Sequence, residues 1–340
     1  MSEENLPKDH PTVKFGKTGV LLMSLGTPDA PTYSAVRRYL AEFLSDPRVI
    51  ETPRLIWLPI LYGPILTFRP AKSARAYAKI WDYERGESPL RTYARSQAEK
   101  LAVRMGEDVP VAWAFRYGSP SIPDGLEELR AQGCERIILF ALYPQYSATT
   151  TASSFDKVFE TLAEMRWQPA VHTVSRYCDH PVFVDALAQS AKQSLQGLDW
   201  QPEKLLMSYH SIPQAYYDKG DPYACYCKKT SRLFGEAGGF DPVNIVTSFQ
   251  SRVGPAQWVG PYTDKTVDEL AASGVKKLAV MAPAFSADCL ETLEELNMEL
   301  REQFLEAGGT HFHYIPCLND TELGMDVLEK VVRDDAAGWL

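Results

Sequence analysis

Eight short runs rich in Val, Ile, Leu and aromatic residues alternate with longer amphipathic stretches. No other feature of the chain constrains its fold as strongly. The runs cover residues 20–25, 109–115, 136–143, 170–175, 204–209, 243–249, 276–282 and 311–315. Between most of them lie helical patterns, among them residues 153–165, 182–195 and 263–273, and a last one follows at 321–334. Parallel strands cannot be joined by tight turns, so strand–helix alternation implies crossovers and helices covering the faces of a parallel sheet. The expected class is α/β with parallel sheets. At 340 residues the chain is long for one compact core and suits two domains.

The pattern also occurs twice. GVLLMSLGTP, VAWAFRYGSP and ERIILFALYPQYSA follow one another in the first half; KLLMSYHSIP, IVTSFQSRVG and KKLAVMAPAFSADC follow in the second. Any two α/β domains share something of this look, but the common order is that of a duplicated unit. The expected division is residues 1–168 and 169–340, and the half on which the last helix packs is left open. Open α/β sheets bind ligands beyond the carboxyl ends of their strands. The loops at those ends hold Leu25, Arg116, Tyr117, Tyr143, His210, Arg252 and residues 286–291.

Four segments carry side chains suited to chemistry. In SYHSIP, His210 sits at a strand tip, where an imidazole can take a proton or a metal near neutral pH; a hydrogen-bonded loop histidine would look the same. In SADCLETLEE, Asp288, Glu291 and Glu295 share one stripe of an α-helix. Asp288 and Glu291 also have the spacing of a capping box, so an ordinary surface helix is the competing reading. The segment FQSR, with Gly254, Trp258 and Tyr262, offers a guanidinium and flat apolar walls. Arg69, Lys72, Ser73 and Tyr77, followed by GESPL with Ser88, bring cations and hydroxyls together in a chain of net charge -9, a set suited to a ligand carboxylate.

The acidic balance and the lack of a basic stripe argue against a nucleic-acid partner. There is no G-x-G-x-x-G, Walker A, G-x-S-x-G or H-E-x-x-H motif. The first 19 residues are polar and lack the apolar stretch of a secretory leader, so the six cysteines read as reduced thiols in a cytoplasmic protein. Cys225 and Cys227 form a lone C-x-C, a weak metal signal. The uncharged run from Leu55 to Leu66, with Trp57 and Tyr62, is too short to span a bilayer and is interrupted by Pro59 and Pro64. It reads as a buried connector, or as an apolar lip that greets a greasy ligand or touches the inner membrane from the side.

Taken together, the ordered segments resemble the ferrochelatase family from about Gly19 to Asp320. SYHSIP is similar to the family's S-[FY]-H-G/S-[IL]-P signature; SADCLETLEEL, RPAKSARAY, GESPL, FRYGSP, YPQYSATTT, KGDPY and SFQSRVGPAQWVGPYT support it. The resemblance implies two Rossmann-like domains with a porphyrin cleft between them. It implies insertion of Fe2+ into protoporphyrin IX, the last step of haem synthesis, with His210 and Glu291 as the catalytic pair. Metal contacts would come from His210, Glu291, Glu295 and Asp288. Leu25, Arg116, Tyr117 and Trp258 would line the porphyrin pocket, and Arg69, Tyr77 and Ser88 would hold its propionates. No cofactor is required, since iron is a substrate. The animal-type [2Fe–2S] pattern is missing, because Ala148 stands at one of its cysteine positions; the resemblance leaves open an arrangement using Cys225, Cys227 or Cys317. Rival readings are a coproporphyrin ferrochelatase, a chelatase for cobalt or nickel, and a porphyrin- or haem-binding module without turnover.

Overall fold

The computed structural model describes residues 16–340. The polar N-terminal segment, read above as lacking a secretory leader, lies outside the described residues up to residue 15. All eight expected strands form, in two four-stranded parallel sheets. The first contains β1 (Lys17–Gly26), β2 (Val111–Tyr117), β3 (Cys134–Ala141) and β4 (Ala170–Thr173), in the order β2-β1-β3-β4. The second contains β5 (Lys204–His210), β6 (Ile245–Gln250), β7 (Lys277–Met281) and β8 (His311–Ile315), in the order β6-β5-β7-β8. The two orders are the same one, so the repeated segments occupy equivalent positions in duplicated units. In each, the chain leaves the first strand toward one side and returns on the other. The carboxyl ends of β1 and β3, and of β5 and β7, therefore flank a topological switch point.

Helices α1 (Tyr33–Leu44), α2 (Arg54–Ile60), α3 (Leu66–Ile80) and α4 (Pro89–Met105) follow β1, with a π segment at Leu61–Ile65 joining α2 to α3. The remaining crossovers of the first sheet use α5 (Ile122–Ala131) and α6 (Ser153–Glu164), the latter entered through a π turn at Ala148–Ala152. The second unit uses α7 (Pro181–Gln196), α8 (Gln214–Asp218), α9 (Tyr223–Gly238), α10 (Thr263–Ala272), a ten-residue π-helix at Glu291–Leu300 and α11 (Arg301–Glu306). The last helix is α12 (Glu322–Asp335).

The expected division between 168 and 169 falls too early. Residues 170–173 pair with β3, Arg136 opposite Ala170, so β4 completes the first sheet and the chain crosses to the second unit only afterwards. The strand itself was legible at 170–175, but the sheet it joins was not, because the pairing partner of a strand is not written in its own pattern. Nor are the halves separate cores. Val20, Leu22, Ile138 and Phe140 of the first sheet belong to one buried cluster with Leu205, Met207, Ala279 and Ile315 of the second. The α12 helix closes this joint. Arg104 of α4 pairs with Glu322, Asp326 and Glu329, Lys100 pairs with Asp320, and Thr18 Oγ1 donates to the Trp339 carbonyl at 2.9 Å. Helix α12 thus packs on the first half and, through α7, on the second.

At the tip of β1, Gly26 has φ +115°, and a Cβ there would lie 1.8 Å from the Tyr117 carbonyl oxygen. Only glycine lets β1 and β2 end this close together, and that approach brings the Leu25 and Tyr117 tips side by side.

Candidate active site

The second unit holds the strand-tip histidine and the acidic helix. His210 ends β5, half-buried, with Nδ1 at 2.7 Å from the Ser211 carbonyl oxygen. A carbonyl can only accept, so Nδ1 carries the proton and the lone pair lies on Nε2, where it can take a proton or a metal. Glu291 opens the helix after β7. Between them stands Gln250, the last residue of β6. It lies opposite His210 in the parallel register, and its Nε2 donates to the Glu291 carbonyl at 2.8 Å.

Glu295 lies one turn of the π-helix beyond Glu291. Its carboxyl accepts from the Ser251 hydroxyl and, at 3.4 Å, from Gln250 Nε2. Burial, and then the Glu291 charge, push it up to about 7 against those two hydrogen bonds. This group therefore changes protonation near neutral pH, the condition for passing protons. Ser251 holds its position with φ 67°, a left-handed conformation uncommon for serine. Beyond Glu295 the acidic row continues to Glu299, whose carboxyl is pushed up by burial and by Glu294. Glu294 is buried and pairs with Lys79 of α3 at 2.6 Å, which ties the π-helix to the first half.

Two expectations for this helix are corrected. The capping box between Asp288 and Glu291 does not form; the helix begins at Glu291 with Leu290 as its cap residue, and its turns are π turns. Asp288 does not extend the acidic stripe. It is buried before the helix, where Oδ1 accepts from Tyr314 Oη at 2.6 Å and Thr292 Oγ1 at 3.0 Å, and Oδ2 accepts from Asn319 Nδ2 at 2.7 Å. An α-helical count of 3.6 residues per turn aligns 288, 291 and 295, whereas a wider π turn aligns 291, 295 and 299. Cys289 is also buried, and its thiol is pushed well up by burial, then by the neighbouring Glu291 charge.

The first unit forms the opposite wall. Leu25, half-buried at the end of β1, packs in one cluster with Tyr39 of α1, Tyr77 of α3, Tyr117 and Leu290. Arg69 of α3 faces into this region half-buried. Burial lowers its guanidinium, and the charges of Glu295 and Glu291, with the Tyr39 phenol, act in the opposite sense. Tyr77 is buried below the same carboxylate; burial, then Glu291, push its phenol well up. Trp258 is half-buried, donates Nε1 to the Val253 carbonyl at 3.0 Å and bridges to Pro213 in the loop after His210.

Three residues expected against the ligand are tied differently. Ser88 is buried and caps α4, its hydroxyl accepting from Arg91 N. Tyr117 is fully buried beneath Phe43, ring centroids 5.0 Å apart. Arg116 stacks over the Tyr117 ring at 4.6 Å and pairs with Asp46. Asp46, which sequence reasoning passed over, is the centre of that wall. Its Oδ2 accepts from Arg116, from Tyr117 Oη at 2.8 Å and from Ser153, and its Oδ1 accepts from Arg48 N at 2.7 Å. Burial alone would raise its carboxyl, but the Ser153 hydroxyl, the Arg48 amide and the Arg116 charge hold it below the usual range. The only hint in the sequence was the Asp-Pro pair of the SDPR turn. Arg252, expected as a fork for a ligand carboxylate, pairs with Asp264 and lies 4.1 Å from the Tyr262 ring centroid.

The apolar run is not a buried connector. It forms α2 and the π segment, with relative exposure of 92% at Leu55, 58% at Ile56 and 52% at Tyr62. Trp57 anchors it by donating to the Leu44 carbonyl at 2.6 Å. Among the described residues no helix is long and apolar enough to cross a membrane. Cys225 is exposed, while Cys227 and Cys317 are buried apart from it in α9 and after β8. Among the described residues no three His, Cys, Asp or Glu side chains form a closed metal cage.

The fold is shared with solved chelatases. Over 95% of this chain, the structure described as SirB from Bacillus subtilis with Fe3+ superposes with TM-score 0.58 at 12% identity, covering 97% of that chain. A cobalt complex of the SirB sirohydrochlorin chelatase from Bacillus subtilis subspecies spizizenii gives TM-score 0.56 over 95% of this chain and 97% of that one, at 12% identity. Closer relatives exist in sequence. A ferrochelatase of Agrobacterium fabrum is 56% identical over 98% of both chains. A ferrochelatase of Brucella anthropi is 55% identical over 96% of this chain and 94% of its own. The ferrochelatase family model matches residues 17–336. With the duplicated parallel sheets, the strand-tip histidine and the acidic helix in place, the chain belongs to the ferrochelatase family.

Proposed function

We propose that the chain inserts Fe2+ into protoporphyrin IX with His210 and Glu291 as the reacting pair and Glu295 as the next group on the route to solvent. A free-base porphyrin carries two pyrrole N–H protons where the iron must go. Insertion breaks two N–H bonds, forms the iron–nitrogen bonds and releases two protons. Imidazole Nε2 of His210 can accept a pyrrole proton or act as the last ligand of the incoming iron, and Glu291 can do the same from the helix after β7. Glu295 titrates near the working pH, so it can take a proton from the interior and give it up toward Glu299. Leu25 and Trp258 shape the walls, with Tyr117 buried behind them, and these walls favour the bent ring over the flat one. Arg69 is the cation for a propionate, with Tyr77 and Ser88 supporting the same wall from behind.

One observation carries this reading. The strand-tip His210, its Nδ1 committed to Ser211, is joined through a single buried residue, Gln250, to the helix bearing Glu291 and Glu295. Asp288 enters as the anchor of that helix rather than as a metal ligand. The exposed apolar strip around Leu55 and Tyr62 supports peripheral contact with a membrane, from which an apolar porphyrin can be taken up. The test is an anaerobic assay offering Fe2+ with protoporphyrin IX or coproporphyrin. His210→Ala should remain folded and form almost no haem; turnover near the wild-type rate would overturn the assignment.

A further inference from the structure

We propose that Gln250 is a positioning residue that keeps Glu291 and Glu295 in register with His210. This rests on the roles given above to those three residues. Gln250 is joined to the histidine loop through the backbone: it is the register partner of His210, and Ser211 N donates to its carbonyl at 2.8 Å. Its side chain reaches the other way. Nε2 donates to the Glu291 carbonyl at 2.8 Å and to Glu295 Oε2 at 3.4 Å, while Oε1 accepts from Ser208 Oγ at 2.7 Å.

The amide is also held from behind. Ser208 Oγ lies 2.8 Å from Thr263 Oγ1, which lies 2.8 Å from Ser248 Oγ. Gln250, Ser208, Thr263 and Ser248 are all buried. A buried amide with both ends hydrogen-bonded is costly to rotate, because turning it orphans a donor and an acceptor at once. The chain of hydroxyls therefore sets the orientation of Gln250, and Gln250 sets the first turn of the π-helix.

It grips that turn by the Glu291 backbone rather than by its carboxylate. Gln250 thus fixes the origin of the Glu291 side chain relative to the imidazole without engaging its carboxylate. The second bond, to Glu295, ties the following turn of the helix to the same amide. One residue thus sets the spacing of the reacting pair and of the acid beyond it. Asparagine is one methylene shorter and would not span from β6 to the helix.

The experiment compares wild type with Gln250→Met, Gln250→Glu and Ser208→Ala in anaerobic insertion of Fe2+ into protoporphyrin IX, following kcat, KM and the pH profile, with melting curves on each. Gln250→Met keeps the bulk and removes both polar ends. It should lower kcat about 10- to 100-fold with little change in porphyrin KM. Gln250→Glu keeps an acceptor for Ser208 but sets an oxygen against the Glu291 carbonyl and Glu295, so kcat should fall at least as far as in Gln250→Met, again with little change in KM. Ser208→Ala leaves Gln250 in place and frees its anchor, so its loss should run the same way and be smaller; it decides the matter if the Gln250 variants fail to fold. Wild-type kcat and pH profile in folded variants, or a change in melting temperature or KM alone, would overturn the inference. His210→Ala in the same series separates the two levels. If it is inactive while the Gln250 variants behave as wild type, only this inference fails; if it is active, the assignment beneath it fails.

Discussion

Glu295 is buried one π turn beyond Glu291, and the Glu291 charge helps push its carboxyl up to about 7. The chain therefore keeps, next to the proposed reacting pair, a carboxyl raised into the neutral range. Its cost in stability and the proton-transfer role proposed for it come from the same burial.

That cost has a definite pH dependence. Because folding raises this pKa above 4.5, the folded chain binds more protons than the unfolded chain between about pH 4.5 and 7, and stability falls as pH climbs through that window. Glu295→Gln removes the penalty. The variant should be more stable than wild type at pH 8, by up to about 3 kcal/mol, and should show no such gain at pH 4. Urea unfolding at the two pH values measures this. Iron insertion by the same variant should fall, since the proton acceptor is gone.

Asp288 should behave as an anchor. Its carboxylate is buried under Tyr314, Thr292 and Asn319, so Asp288→Ala should cost about 3 kcal/mol or more in unfolding free energy by leaving those donors without a partner. Tyr314→Phe, which removes one bond, should cost about 1 kcal/mol and leave iron affinity unchanged. A tenfold loss of iron affinity in folded Tyr314→Phe, seen by metal titration, would return Asp288 to the metal path.

Asp46 organises the opposite wall. With Arg116, Tyr117 and Ser153 all donating to one oxygen, Asp46→Ala leaves a nearly buried guanidinium unpaired. The expected loss is about 3–5 kcal/mol in denaturant unfolding. Arg116→Met leaves the Asp46 carboxylate its Tyr117, Ser153 and Arg48 donors and should be milder than Asp46→Ala in the same measurement.

The apolar strip separates membrane contact from folding. Leu55 and Phe68 are exposed, 92% and 75%, so Leu55→Glu with Phe68→Glu should change stability by less than about 0.5 kcal/mol per site. Co-sedimentation with phosphatidylcholine vesicles should drop relative to wild type. Equal sedimentation of both proteins would remove the membrane from the reading of this segment.

The sequence by itself determined the class and the doubling. Eight strands and four helices were legible because period-2 and period-3.6 patterns are local properties of the chain, and strand–helix alternation dictates parallel sheets. It also placed His210 at a strand tip, since the apolar run ends there. The identity of the partner groups was decided by tertiary structure. Whether Arg116 meets a ligand or Asp46 depends on a loop 70 residues away in the chain. Ser88 looked like a ligand hydroxyl and is a helix cap. Asp288 looked like the first acid of a stripe and became a buried acceptor, because the helix after β7 is wound as a π-helix. A wider turn is held by contacts from outside the helix, among them the Gln250 amide on the Glu291 carbonyl. Such contacts join residues 41 positions apart, and no periodicity within either segment records them.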